Sequence, residues 1–206
     1  AERITFQYAA GNRLQSCFAA KVATRTWRPT RRKDDPEYAS TWSHSLTADF
    51  DPKSQQINRL EQAGDFRYEE GARQAAAERG VLDGALDQIL LEGRAKTWDP
   101  TGATSADRIV LDQKTGDFHA EGNVRSSRVP EKKKPGAGSQ AMLLGEETLQ
   151  ATARKMHSSG GRKVVHYEGA VTLWQGANRL RAEAVTIDRA NESLRAQGGV
   201  FSQFLD

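Results

Sequence analysis

One spacing recurs along this chain of 206 residues: an alanine is followed by a glycine 16 residues later. The spacing occurs five times. Successive glycines are 29 residues apart, except for one step of 47, which equals 29 plus 18 additional residues. A fixed period of this size is typical of stacked supersecondary units. The five pairs are Ala48–Gly64, Ala77–Gly93, Ala106–Gly122, Ala153–Gly169 and Ala182–Gly198.

Two positions of the unit are apolar in every copy, and polar or charged residues lie between them. This alternation predicts a strand with one buried face. The glycine lies on the apolar side of that strand, where it marks a bend or a close approach of another chain segment. The predicted buried columns contain Leu60, Ile89, Phe118, Val165 and Leu194 twelve places after the alanine, Phe66, Ala95, Val124, Val171 and Val200 eighteen places after it, and Leu91 and Tyr167 in a mixed column at place fourteen.

The first half of each unit predicts a shorter strand, which is clearest at Ile109 and Leu111 and again at Val185 and Ile187. Each unit is therefore predicted to be strand, turn, strand, turn. Turn sequences such as Lys-Thr-Gly-Asp at residues 114–117 lie between the strands.

Residues 1–27 are predicted to be a degenerate first copy, as is usual for a terminal repeat. Aligning Trp27 with Trp98 and Trp174 places Phe6 in the alanine column and Phe18 in the twelfth-place column. The same alignment places Ala20 in the fourteenth-place column and Val22 in the glycine column.

Two loop insertions, residues 28–40 and 128–145, interrupt the period. Six units and two insertions account for the chain, so residues 1–206 are predicted to form one domain.

Charge, hydropathy and cysteine content exclude several classes of function. The net charge of +3 and a pI near 9.1 are mildly basic and do not indicate a nucleic-acid partner. No apolar run reaches the roughly 18 residues of a membrane-spanning helix. One cysteine, Cys17, excludes an internal disulfide framework. The chain begins without Met, which predicts that a signal peptide has been removed.

No pattern in the sequence indicates catalysis, a metal or a cofactor. His119 and His166 occupy the same column and are expected near each other on the outer face, but no carboxylate or cysteine column completes a metal site. Cys17 has no histidine nearby in sequence that would make it a nucleophile. A row of carboxylates follows the alanines and is interpreted as a charged outer face rather than a calcium site: Asp49, Glu78, Asp107 and Glu183.

The repeat pattern is Ala-Asp/Glu-x-x-x-Ile/Leu-Asp, a short turn, then apolar-x-Ala-x-Gly-Asn/Gly-Val. It resembles the OstA-like repeat of the periplasmic lipopolysaccharide-transport proteins, above all the LptA family, with LptC-like and LptD N-terminal domains as relatives. The closest matches are residues 106–126 and 182–202, and the resemblance covers about residues 46–204.

The resemblance implies an all-β fold, a β-jellyroll of antiparallel strands that is open at both ends and has a slot-like apolar interior. It implies a non-enzymatic periplasmic module that shields the acyl chains of lipopolysaccharide, or of a similar anionic lipid, during transfer to the outer membrane. Subunits of that family join edge to edge, so self-assembly or addition of an LptC- or LptD-like jellyroll is expected through residues 6–18 and 194–204. The slot is expected to be lined by Leu60, Phe66, Ile89, Leu91, Ile109, Leu111, Phe118, Val124, Val165, Tyr167, Val171, Val185, Ile187, Leu194 and Val200.

Both insertions are basic and are predicted to leave the same edge of the array. They are either solvated loops or a cationic rim for an anionic head group. The head-group candidates are Arg31, Arg32, Lys33, Lys132, Lys133 and Lys134.

Without the resemblance, the apolar columns are equally compatible with a dry core. The alternative function is therefore a structural or carbohydrate-binding β-repeat protein.

Overall fold

The computed structural model describes residues 1–27, 38–130, 147–159 and 163–204. These residues form strands and turns without a helix, so the all-β fold class is confirmed. No helix in the described part of the chain has the length and hydropathy needed to cross a membrane. The strands are β1 (Arg3–Ala9), β2 (Arg13–Trp27), β3 (Tyr38–Phe50), β4 (Ile57–Glu70), β5 (Arg73–Asp83), β6 (Gln88–Asp99), β7 (Gly102–Asp112), β8 (Phe118–Arg128), β9 (Leu149–Ser159), β10 (Val164–Gln175), β11 (Asn178–Asp188), β12 (Ser193–Gln197) and β13 (Phe201–Gln203).

The strands form one open antiparallel sheet in chain order, from β1 to β12, with β13 pairing with β11. Each strand therefore follows its neighbour in sequence, as the strand–turn–strand unit predicts. The chain divides into two compact units, Ala1–Thr97 with Val110–Lys114 (unit 1) and Trp98–Ile109 with Thr115–Asp206 (unit 2). The single domain expected from the repeat stays a prediction.

An aspartate at the end of a strand closes several of the turns. Asp51 Oδ1 accepts hydrogen bonds from the backbone N–H groups of Lys53 (3.0 Å) and Ser54 (2.7 Å). Asp188 accepts in the same way from Ala190 and Asn191. These hydrogen bonds lower the pKa of both carboxyl groups. Aspartate is suited to this place because its short side chain reaches the N–H groups two and three residues ahead.

A β-bulge interrupts the second strand of each repeat at its glycine. In β10, Gly169 (φ +82°) and Ala170 (φ +51°) both have left-handed backbone conformations. Glu168 pairs with Ala184 and Val171 with Ala182, so β10 advances by three residues where β11 advances by two. The same two-residue bulge begins at Gly64 and Gly122. The bulge bends the strand, so the bend expected at the glycines is confirmed.

Glycine is required at the first bulge position for two reasons. A positive φ is costly for residues with a Cβ atom. In addition, a Cβ atom on Gly169 would lie 2.8 Å from the Cβ atom of Arg154 on the preceding strand. Gly64, Gly93 and Gly198 lie equally close to the side chains of His44, Glu78 and Glu183.

The first two repeats have a different register from the one predicted. Gly64 lies against His44, so the residue equivalent to the alanine of later units is Ser43, and Ala48 lies five positions further along β3. Ala48 instead pairs with Leu60, as Ser158 pairs with Val165 in unit 2. The prediction was wrong because β3 and the turn after it are longer than the corresponding segments of the other repeats. Ala48, which is not the repeat alanine, happens to lie 16 residues before Gly64.

The degenerate first copy is shifted by one residue. Cys17, not Phe18, pairs with Ala48 and occupies the twelfth-place column. Val22 pairs with Ser43 and is buried, as the eighteenth-place residues are. In β2 only Lys21 is left-handed, and no extra residue is inserted opposite β3, since Ala20 pairs with Ser45 and Val22 with Ser43.

A one-residue shift turns every side chain to the opposite face. Phe18 is accordingly 47% exposed, whereas Ala19, not Ala20, is buried.

We expect Gly169→Ala to destabilise the protein more than Gly116→Ala. Gly116 has a similar φ of +73° but open space around it, so alanine there should cost about 1 kcal/mol from backbone conformation alone. At Gly169 the contact with Arg154 should add roughly 1–3 kcal/mol. Urea unfolding of both variants measures the difference, and equal midpoints would show that the close approach does not constrain the bulge.

Candidate functional site

A cluster of buried apolar side chains covers one face of β9, β10 and β11 in unit 2. Val185 is 0% exposed, and Val171 and Ile187 are 1% and 2% exposed. Leu194 of β12 packs at the margin of this cluster. The predicted slot residues that the structure brings together here are Val165, Tyr167, Val171, Val185 and Ile187.

Other predicted residues of unit 2 adjoin this face. Ile109, Phe118 and Val124 are buried. Val124 pairs with Ala153, which belongs to the cluster, and Phe118 pairs with Ser158 on the same strand. The apolar columns therefore continue from β10 through β9 to β8.

Val200 is an exception, because it is 52% exposed and lies between β12 and β13. Gly198 and Gly199 form the last bulge, and the chain then pairs with β11 at residues 179–181. Val200 is thus not covered, and its placement in the buried column was wrong.

The predicted residues of unit 1 are less uniformly buried. Phe66 and Leu91 are buried, whereas Leu60, Ile89 and Leu111 are half-buried. Leu60 packs against a smaller cluster formed by Ala19, Val22, Leu46 and Ala48.

The apolar face continues onto the edge strand β1, where it is not covered. Phe6 pairs with Cys17 and Ile4 with Ala19, which places both side chains on the inward-facing side of the strand. Ile4, Phe6 and Tyr8 are nevertheless 53%, 51% and 58% exposed.

The sequence prediction missed the buried residues on the other side of each bulge. Leu173 and Leu180 are 0% and 4% exposed, and Ala151 is 1% exposed. Their signal is present in the alternation of the sequence, because Leu173 lies two residues after Val171, and Leu180 and Ala151 each lie two residues before a repeat alanine. The interior therefore extends along the strand in both directions from the bulge.

Polar side chains also lie inside, and three of them, Ser126, Gln62 and Thr41, were not predicted as site residues. In unit 2 the Tyr167 hydroxyl is within 2.8 Å of the Ser126 hydroxyl, and burial raises the pKa of the tyrosine. In unit 1 Gln62, only 1% exposed, donates from Nε2 to the Thr41 hydroxyl at 2.8 Å. The basic head-group candidates, Arg31, Arg32, Lys33, Lys132, Lys133 and Lys134, lie outside the described residues.

Comparison with known proteins agrees with this architecture. Residues 37–117 match the family model described as LptA/(LptD N-terminal domain) LPS transport protein. The crystal structure of LptH from Pseudomonas aeruginosa, described as the LptA homologous periplasmic component of the lipopolysaccharide transport device, is similar with a TM-score of 0.54 and 11% sequence identity. The similarity covers 65% of this chain and 95% of LptH. No match was found among curated proteins.

The resemblance to the OstA-like family is confirmed. The structural likeness establishes an LptA-like β-jellyroll fold. The segment matched by the family model contains the copy that begins at Ser43 and the copy that begins at Ala77. An OstA-like repeat here is thus a bulged hairpin whose inward columns form the apolar face described above.

The carboxylates that follow the alanines in the OstA-like repeats contact the bulges. Asp107 Oδ2 accepts a hydrogen bond from Asn123 Nδ2 at 2.9 Å, and Glu78 Oε1 accepts one from Arg94 Nε at 3.0 Å. Asn123 and Arg94 are the second, left-handed residues of their bulges. The row therefore has a structural explanation. In unit 1 His44 takes the equivalent place, 3.6 Å from Asp65, and Asp49 does not belong to the row.

His119 and His166, which were expected near each other on the outer face, lie on β8 and β10 with β9 between them. His157 pairs with both His119 and His166. The rings of His119 and His157 stack at 4.2 Å, and His166 Nδ1 lies 2.8 Å from the Thr186 hydroxyl. Among the described residues, no group of three or more His, Cys, Asp or Glu side chains could hold a metal ion.

An ion-pair network stabilises the outer face of unit 1. Arg79 contacts both carboxylate oxygens of Glu61, at 2.7 and 2.6 Å, and Glu92 at 2.7 Å. The hydrogen bonds from Arg79 lower the pKa of Glu61. Because the folded-state pKa is the lower one, this contribution to stability is present above the pKa of Glu61 in the unfolded chain and is lost as the pH falls.

We expect Arg79→Met to lower the free energy of unfolding by roughly 0.5–1 kcal/mol at neutral pH, since the partners are partly exposed and screened by water. The difference from the wild type should shrink as the pH falls through the lowered pKa of Glu61, because the carboxylate is then protonated. Urea unfolding at pH 7 and pH 3 measures both values, with Arg67→Met at an exposed position of the neighbouring strand β4 as the control. A constant difference across this pH range would show that packing, not charge, explains the loss.

Proposed function

We propose that this chain is a non-enzymatic periplasmic module of lipopolysaccharide transport that shields acyl chains of lipopolysaccharide or a similar anionic lipid. The observation that supports it best is the continuous apolar face of β8–β11, built mainly from Val, Leu, Ile and Ala side chains. Such side chains can move apart around an acyl chain and return to contact when it leaves, because they make no directional bonds. The LptA-like fold and the family match of residues 37–117 support the same assignment.

The exposed inward side of β1 supports a second part of the proposal, which is assembly with other jellyroll subunits. An edge strand presents unpaired N–H and C=O groups to another strand. Here it also presents Ile4, Phe6 and Tyr8 to solvent. A docked strand from another copy, or from an LptC- or LptD-like jellyroll, would pair with the backbone of β1 and cover these side chains. At the other end of the sheet, β12 and β13 provide the second edge.

The lipid proposal is tested at Val171, which is 1% exposed at the bulge of β10. Val171→Thr keeps the shape but places a hydroxyl in the apolar interior, and we expect lipopolysaccharide binding to weaken roughly five- to tenfold. Val171→Glu should abolish binding, although the buried charge also threatens folding. Displacement of an apolar fluorescent dye measures affinity, and circular dichroism checks the fold.

Glu168→Lys is the matched control, since Glu168 lies on the outer face beside the same bulge. A folded Val171→Thr variant with wild-type affinity would remove this face from the binding site. If native mass spectrometry finds no lipid on the freshly purified wild type and added lipid does not displace the dye, the dry-core alternative applies.

The assembly proposal is tested with proline in β1. Of the neighbouring residues Thr5 and Phe6, one directs its N–H toward β2 and the other directs it away from the sheet. Proline at the outward position should leave the fold intact and abolish concentration-dependent oligomers, because it removes a donor and inserts a ring where a strand must dock. Proline at Val200, which lies between strands, should have a smaller effect. Analytical ultracentrifugation measures the oligomers of each variant. If the folded Thr5→Pro and Phe6→Pro variants both form oligomers as the wild type does, the β1 edge is not the assembly contact.

A further inference from the structure

A buried carboxamide interrupts the apolar face of unit 1. Gln62 occupies the mixed column, in which the equivalent residues Ala19, Leu91 and Ala120 are apolar and buried. The side chain of Gln62 is 1% exposed, and its Oε1 atom has no hydrogen-bond partner among the described residues. An unpartnered polar atom is rare in a folded protein because it has lost its water without a replacement.

The other end of the carboxamide belongs to a short chain of hydrogen bonds. Gln62 Nε2 donates to the Thr41 hydroxyl at 2.8 Å, and the Thr41 and Thr24 hydroxyls lie 2.6 Å apart. Exchanging the N and O atoms of the amide would not satisfy both ends, since Thr41 contacts only one of them. Tyr167 is the equivalent residue in unit 2, and its hydroxyl does have a hydrogen-bond partner, the hydroxyl of Ser126.

The surroundings of Gln62 are apolar. Its cross-strand neighbours are Leu46 on β3 and Gly80 on β5. The ring of Phe66 covers Gly80, so closely that a Cβ atom there would lie 2.9 Å from the ring. Gln62 therefore offers one free hydrogen-bonding end within a face that otherwise favours hydrocarbon.

We propose that Gln62, held by Thr41, is a subsite that recognises a hydroxyl group carried on a bound acyl chain. This inference rests on the function proposed above and adds a specificity to it. A chain with a hydroxyl group near Gln62 would supply the missing partner, whereas a plain saturated chain would leave the amide end unpaired. A site built to hydrogen-bond a hydroxyl discriminates against a ligand that lacks it, because the protein group then stays buried without a partner. The same bond would fix how far the chain enters unit 1.

The test compares a long-chain saturated fatty acid with its 3-hydroxy derivative of equal length, by displacement of an apolar fluorescent dye. We expect the wild type to bind the hydroxylated acid roughly five- to tenfold more tightly. Gln62→Leu, which is similar in volume, should reduce this ratio to about one while binding of the plain acid is unchanged or improved. Gln150→Leu, at an exposed position of β9, should keep the wild-type ratio.

The outcomes separate the two proposals. If the wild type binds neither acid, nor lipopolysaccharide, the lipid-binding function itself is wrong. If it binds both acids equally, or if Gln62→Leu keeps the preference, only the subsite is overturned, and a buried water molecule is then the partner of Gln62. Should Gln62→Leu not fold, Thr41→Val provides a second variant, in which the preference should fall because Gln62 loses its anchor.

Discussion

The geometry of the repeats depends on one local constraint, the passage of a glycine backbone close to a side chain of the preceding strand. Gly169 against Arg154 shows the requirement: a left-handed backbone, no Cβ atom, and a second left-handed residue directly afterwards. Two residues then lie opposite one on the next strand, which bends the strand and increases its twist. In β10 the inward columns on either side of the bulge keep a common face, because the extra residue is accommodated at the bulge.

The sequence predicted the features that are fixed by short-range patterns. The alternation around Val165 and Val171 and the bend at the repeat glycines follow from backbone sterics and side-chain periodicity. The same patterns led to the all-β fold class and to the OstA-like resemblance. Most of the predicted slot residues are buried or half-buried. The interior side of most strands, though not of β2, could therefore be assigned before their neighbours were known.

Register was predictable only where the bulge has its usual form. In β2 Lys21 is left-handed but no extra residue is inserted opposite β3, so the assignment of Phe18 was shifted by one residue. In β3 the longer hairpin made Ala48 resemble the repeat alanine. Both errors concern the number of residues in a strand or hairpin. Periodicity does not reveal such a change when an unrelated residue happens to lie at the expected spacing. The contact of Gln62 with Thr41 was also not predictable, since it joins side chains 21 positions apart.

Pairing in chain order means that every strand meets its partners by way of a short or moderate length of chain. An array with this connectivity resembles a solenoid energetically, because each hairpin is stabilised chiefly by the hairpins before and after it. Adding or losing one hairpin at a terminus would change the number of strands by two and leave the other pairings as they are. The length of the apolar face is therefore a property that duplication of a 29-residue segment can adjust, and the degenerate β1–β2 hairpin shows how far a terminal unit can diverge while still pairing with its neighbour.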